Sequence, residues 1–136
     1  AFCFTYGDGV ADINISKLIS FHKKNQKLAT LIATRPPARY GAIKFGNNNQ
    51  IKKFEEKPAG DGNWINGGFF VLDPKVINEI KNDKTSWELE PLANLAKKGQ
   101  LFAYKHNGFW MAMDTLRDKI ELNNLCYSGK APWITW

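Results

Sequence analysis

Phe2-Cys3-Phe4-Thr5-Tyr6-Gly7-Asp8-Gly9-Val10-Ala11-Asp12 is the stretch that decides the fold class. Phe2 to Tyr6 reads as a buried strand, and it runs without a spacer into Gly7-Asp8-Gly9. In open α/β sheets, ligands bind beyond the carboxyl ends of strands, which is where this turn falls. Glycines on both sides of Asp8 let a phosphate or a metal approach the backbone closely. Asp8 is therefore a candidate ligand for a hard cation such as Mg2+. An ordinary Asp-Gly turn is the competing reading. A helix follows, with Asp12 as its expected cap and Ile15, Leu18, Ile19 and His22 on one face.

Working outward, Leu28 to Thr34 reads as a strand apolar on both faces, as inside a sheet covered by helices. Arg35-Pro36-Pro37 breaks it. Tyr40 to Phe45 and Ile51 to Glu55 flank Gly46-Asn47-Asn48-Asn49, a hairpin signal. A polar, Gly-rich loop runs from Lys57-Pro58 to Asn63. Gly68 to Leu72 is another buried strand, and Asp73-Pro74 opens a short helix. A helix is expected over Trp87 to Lys98, with Leu89, Leu92, Leu95 and Ala96 inward and Gly99 as its stop. Leu101 to Lys105 and Phe109 to Met113 are strands. The last helix, Thr115 to Tyr127, has Leu116, Ile120, Leu122 and Leu125 as its apolar members.

Strands alternating with helices around one inserted hairpin predict an α/β fold, with a mixed, mostly parallel sheet in a three-layer sandwich. Such a site normally follows earlier strands, yet here it falls at residue 8. The expectation is the C-terminal part of a longer protein, with the N-terminal half absent.

Composition narrows the function. The 136 residues amount to one domain at about 150 residues per domain. Nine Phe, five Trp and four Tyr argue against disorder. No apolar run approaches the roughly 20 residues of a membrane span. The net charge of +6 raises nucleic acid as a partner, but sixteen of the nineteen basic residues are Lys and they are scattered. Base and phosphate clamping favours the planar fork of Arg, so no specific nucleic-acid partner is expected. A positive field also suits a small phosphorylated substrate. Cys3 and Cys126 are too few for a disulfide scaffold or a closed zinc site. They read as core and helix-packing residues of a reduced, cytoplasmic protein.

Further candidates lie downstream. Asp114, in Met113-Asp114-Thr115, stands between a short strand and a helix; it is either a helix cap or a second carboxylate that shares a Mg2+ with Asp8. Lys57, in Glu56-Lys57-Pro58, is either a solvated lysine or an ammonium fixed at a strand end for a phosphate. Glu56 is placed to accept hydrogen bonds from sugar hydroxyls. Asn66-Gly67-Gly68 permits close approach of a ligand or of another backbone, or else marks a bulge. His22 and His106 are poor catalytic candidates, one on a helix face and one in a Lys-His-Asn-Gly turn. No Ser, His and Asp arrangement is legible.

Together these segments resemble the nucleoside-diphosphate-sugar pyrophosphorylases. The resemblance is carried by Tyr6-Gly7-Asp8-Gly9-Val10-Ala11-Asp12, Arg39-Tyr40-Gly41, Phe54-Glu55-Glu56-Lys57-Pro58, Ile65-Asn66-Gly67-Gly68-Phe69 and Met113-Asp114-Thr115. Trp87-Glu88-x-Glu90-Pro91-Leu92, Gly108-Phe109-Trp110, Asp114-Thr115-Leu116-Arg117-Asp118-Lys119 and Gly129-Lys130-Ala131-Pro132-Trp133 resemble the branch that joins CTP to glucose 1-phosphate.

The resemblance implies CDP-glucose and pyrophosphate as products and Mg2+ as cofactor. It implies Asp8 and Asp114 as metal ligands, with Lys57 on the sugar phosphate. Gly7, Tyr40, Gly41, Glu56, Lys57, Asn66 and Gly67 fall at substrate-binding positions. It also implies a homo-oligomer, and a Gly-rich triphosphate loop in a segment this chain does not contain. Two anionic reactants repel, so the chemistry needs cations and alignment rather than a covalent nucleophile. The alternatives are another base, UTP or dTTP, and a non-catalytic sugar-phosphate-binding module.

Overall fold

The computed structural model describes residues 1–36, 42–55 and 64–135. Four strands form the main sheet: β1 (Phe2–Thr5), β3 (Ala29–Thr34), β6 (Ile65–Leu72) and β7 (Leu101–Lys105), in the order β1-β6-β3-β7. β6 runs antiparallel to both neighbours, and β3 pairs parallel with β7. Three strands thus share one direction, but only one of the three strand pairs is parallel. The sheet is mixed, as expected, with two antiparallel pairs beside the parallel one. The cause is β6, which enters between β1 and β3 against their direction.

Alternation along the strands splits the core into two faces. Ala29, Phe70 and Leu72 point to one side, where they meet Val76 and Leu95. Val76 lies on the short 3-10 helix Pro74–Glu79, and Leu95 on α2 (Glu90–Lys97). Ile32 and Val71 point to the other side and pack on Leu18 of α1 (Ile15–Asn25). Helical cover on both faces gives the three layers expected.

Several local expectations change. β1 is an edge strand among the described residues, so Phe2 is 46% exposed and Phe4 39% rather than buried. Cys3 and Cys126 are both exposed, not packed. Asn14, not Asp12, caps α1: its side chain accepts from the Lys17 N–H at 2.9 Å. α2 begins at Glu90 rather than Trp87, because Pro91 fits only the first turn of a helix. Leu89 and Ala96 consequently face solvent, while Leu95 is fully buried. The strand expected from Gly68 begins at Ile65. On α3 (Leu116–Tyr127) Leu122 is buried, but Leu116 and Ile120 are exposed.

The hairpin forms as expected from β4 (Ala42–Phe45) and β5 (Ile51–Glu55). Asn48 and Asn49 supply its left-handed backbone, at φ of 54° and 60°.

A second, two-stranded ribbon stands apart from the main sheet. β2 (Gly9–Ala11) pairs antiparallel with β8 (Trp110–Ala112), with Gly9 opposite Ala112 and Ala11 opposite Trp110. Behind β8, Trp133 stacks on Phe109 at 5.5 Å between ring centroids.

His22 ties α1 to the sheet through Nδ1, 3.0 Å from Thr30 Oγ1 in a buried contact. Burial holds its imidazole below the ordinary value of 6.5, against a weak opposing pull from Asp73. The unfolded chain therefore takes up this proton first as pH falls. Stability is full above about pH 6.5 and declines below it. The melting temperature is expected to drop between about pH 7 and pH 5, and His22→Gln is expected to flatten that slope. An equal slope in the variant would rule His22 out as the source.

Candidate active site

The ribbon brings two distant carboxylates to one place. Asp8 immediately precedes β2, and Asp114 follows β8 by two residues. The Met113 N–H donates to the Asp8 carbonyl at 2.8 Å, extending the ladder to the residue beside Asp114. Both aspartates line a cleft with Tyr6, Gly9, Asn66, Gly67, Gly68, Glu88, Trp110 and Ala112. The cleft holds about 180 Å³, below the roughly 300–1,000 Å³ of complete small-molecule sites. The cleft among the described residues is therefore too small for a complete small-molecule site. A larger groove of about 420 Å³ along α3 contains none of the candidate residues.

Asp114 is not the helix cap. Thr115 takes that place, accepting from the Asp118 N–H, and Asp118 accepts in return from the Thr115 N–H at 2.9 Å. This capping box fixes the start of α3 and leaves Asp114 on the cleft side of it. Among the described residues no three His, Cys, Asp or Glu side chains converge on a metal position. Two carboxylates in one glycine-bordered cleft nonetheless fit Mg2+. That ion takes one or two carboxylates and completes its shell with water and phosphate oxygens.

Gly67 has a structural reason to be glycine. A Cβ there would lie 2.6 Å from Ile32 Cγ1 and 2.7 Å from Ile32 Cδ1. Its carbonyl accepts from Trp110 Nε1 at 2.8 Å, tying the ribbon to β6. The bulge reading of this segment is also met. Between Leu31 and Ala33 the partner residues on β6 step from Phe70 to Asn66, so β6 carries extra residues there. Gly68 supports the bulge with φ of 75°. Asn66 Oδ1 accepts from the Gly68 N–H at 3.0 Å, and its amide donates to Tyr6 Oη at 3.4 Å.

Tyr40, Gly41, Glu56 and Lys57 lie outside the described residues. Of the expected substrate positions, the described structure brings Asn66 and Gly67 to the cleft with both aspartates. Gly7 precedes Asp8, with open space where a side chain would stand.

Two cleft residues escaped the sequence reading. The sequence places Tyr6 only in the first strand and in the Gly-Asp motif that opens the resemblance, and Glu88 only in a branch motif, without a site role for either. Trp87 is the signal that could have found Glu88. It packs edge-on against Phe4 and Phe70 at 6.5 and 5.9 Å between centroids, anchoring the segment that carries Glu88. The Tyr6 phenol is pushed up to about 12, first by burial and then by the hydrogen bond it donates to the Glu88 carboxylate. Tyr6 thus stays a neutral donor, and Glu88 presents an acceptor to the cleft. Positive charge stands at neighbouring strand ends. Arg35, after β3, and Lys105, ending β7, lie over the Trp64 ring at 4.4 and 5.3 Å from its centroid.

These features define an α/β protein with a paired-carboxylate cleft at its strand ends. The profile of the family described as nucleotidyl transferase matches residues 1–126, and the chain belongs to that family.

Among its relatives, the glucose-1-phosphate cytidylyltransferase of Salmonella typhimurium is 59% identical over all 136 residues, which cover 52% of that protein. The mannose-1-phosphate guanylyltransferase catalytic subunit beta of Xenopus tropicalis is 34% identical, over 88% of this chain and 34% of its own. A Bacillus anthracis protein crystallised with sucrose shares the fold. It has a TM-score of 0.65 at 22% identity, over 98% of this chain and 55% of that one. The chain thus spans about half the length of the Salmonella relative.

Titration tests the Tyr6–Glu88 pair. A raised folded-state value means stability is full below pH 10 and is lost as pH climbs toward about 12. Phenolate absorbance is expected to show a late step near pH 12 that Tyr6→Phe removes and Glu88→Gln shifts downward. A step indifferent to Glu88→Gln would exclude the hydrogen bond.

Proposed function

We propose that the protein containing this chain transfers a cytidylyl group from CTP to α-D-glucose 1-phosphate, yielding CDP-glucose and pyrophosphate. The observation that carries this reading is 59% identity, over the whole chain, with the Salmonella glucose-1-phosphate cytidylyltransferase. The chain would supply the sugar-phosphate side of the site and the metal carboxylates. A phosphate oxygen of glucose 1-phosphate attacks the α-phosphorus of CTP, and the bond to the β-phosphate breaks as pyrophosphate leaves.

Asp8 and Asp114 would hold Mg2+, which when bound neutralises charge on the reacting phosphates. Lys57 contacts the sugar phosphate as a point charge. Glu56, Asn66, Gly7, Tyr40, Gly41 and Gly67 are the residues we assign to substrate binding. Glu88, held by Tyr6, adds a further acceptor. We take the protein to act as a cytoplasmic homo-oligomer in polysaccharide biosynthesis, without a membrane or a specific nucleic-acid partner.

The full-length protein is expected to release pyrophosphate fastest with CTP among CTP, UTP, dTTP and GTP, and only with divalent cation present. Asp8→Asn and Asp114→Asn are each expected to lower kcat by at least about a hundredfold with an unchanged circular dichroism spectrum. Near-normal turnover in both variants would remove the metal assignment. Preference for another base would remove CTP.

A further inference from the structure

The end of the ribbon remote from the two aspartates carries a contact with no place in the chemistry above. His106 follows β7 and is 8% exposed. Its backbone N–H donates to the Ala33 carbonyl at 2.8 Å, fixing it to the end of β3. Its Nε2 stands 2.9 Å from Asp12 Oδ1 and 2.9 Å from the Phe109 carbonyl oxygen. Both neighbours are acceptors, which assigns the hydrogen to Nε2.

Asp12 directly follows β2, and Phe109 directly precedes β8. The Asp12 N–H donates to the same Phe109 carbonyl at 3.2 Å. Asp12 Oδ1 is buried and makes no well-aligned hydrogen bond, a costly position for a carboxylate that the close approach of His106 Nε2, itself hydrogen-bonded to the Phe109 carbonyl, offsets. Gly108 closes the arrangement, because a Cβ there would overlap the Asp12 carboxylate. One imidazole therefore grips both strands of the ribbon at one end, while Asp8 and Asp114 stand at the other.

We propose that His106 is a positioning residue for the Asp8–Asp114 pair: through Asp12 and Phe109 it locks the ribbon to the main sheet and so fixes the geometry of the two carboxylates. Three rungs of pairing make a ribbon too short to hold its own register. Trp110 anchors it to β6 from one side. His106 supplies the anchor at β3, and without it the ribbon pivots about Trp110. The inference rests on reading Asp8 and Asp114 as the reactive pair.

The test uses the full-length protein with His106→Leu, His106→Gln and Asp12→Asn. The first readout needs no metal: amide hydrogen exchange at Met113, whose N–H bonds to Asp8. His106→Leu is expected to speed that exchange by about tenfold or more while the Ile32 amide in the core keeps its rate. The second readout is binding of Mn2+ alone, followed by its paramagnetic resonance signal. His106→Leu is expected to weaken it about tenfold, with kcat reduced and the KM for glucose 1-phosphate nearly unchanged. His106→Gln keeps an N–H donor at the same reach and is expected to recover most of both effects.

Unchanged Met113 exchange in His106→Leu overturns the proposal, as does equal loss in the Leu and Gln variants. If His106→Leu does not fold, Asp12→Asn decides by the same two measurements. If the parent protein binds no Mn2+, the metal reading fails instead, and Met113 exchange alone decides the role of His106.

Discussion

Three residue pairs between Gly9–Ala11 and Trp110–Ala112 are the constraint on which the rest of the site depends. They join segments about a hundred residues apart and are the reason that Asp8 and Asp114 share a cleft at all. So short a ribbon draws its stability from outside itself. Trp110 reaches the Gly67 carbonyl on β6, and the Asp12 side reaches His106 at the end of β7. The acid pair is thereby referenced to the buried β3–β6 centre of the main sheet.

β6 is the second organising element. Its antiparallel course between β1 and β3 brings Asn66, Gly67 and Gly68 beside Tyr6. The same glycines serve two demands at once. Gly67 must leave room for Ile32, and Gly68 must take a left-handed backbone. Both also keep the cleft wall low.

Much of the architecture was legible because it is local. β3 announced itself by apolar residues on both faces, the hairpin by Gly46 to Asn49, and the short helix by Asp73-Pro74. Asp8, Asp114, Asn66 and Gly67 were legible as a set only through the order of their motifs. What escaped was long-range. Nothing near Asp12 shows that His106 will face it, so a helix cap was the natural expectation and His106 looked like a turn residue. Nothing in Phe2 to Thr5 shows that, among the described residues, a single strand pairs with it. The start of α2 was the exception, since Pro91 carried a local signal that the run of leucines outweighed.

The ribbon also has a consequence for how the protein is made. Closing a loop of about a hundred residues costs on the order of 4 kcal/mol in chain entropy, before any constant term. Contacts of such separation form late, and Trp110 to Asp114 leave the ribosome long after Asp8. The β3–β6 pairing spans a far shorter stretch and is available earlier. The main sheet can thus be in place as a template before the two aspartates meet. A chain interrupted between β7 and β8 would keep most of its core and possess half of its acidic pair.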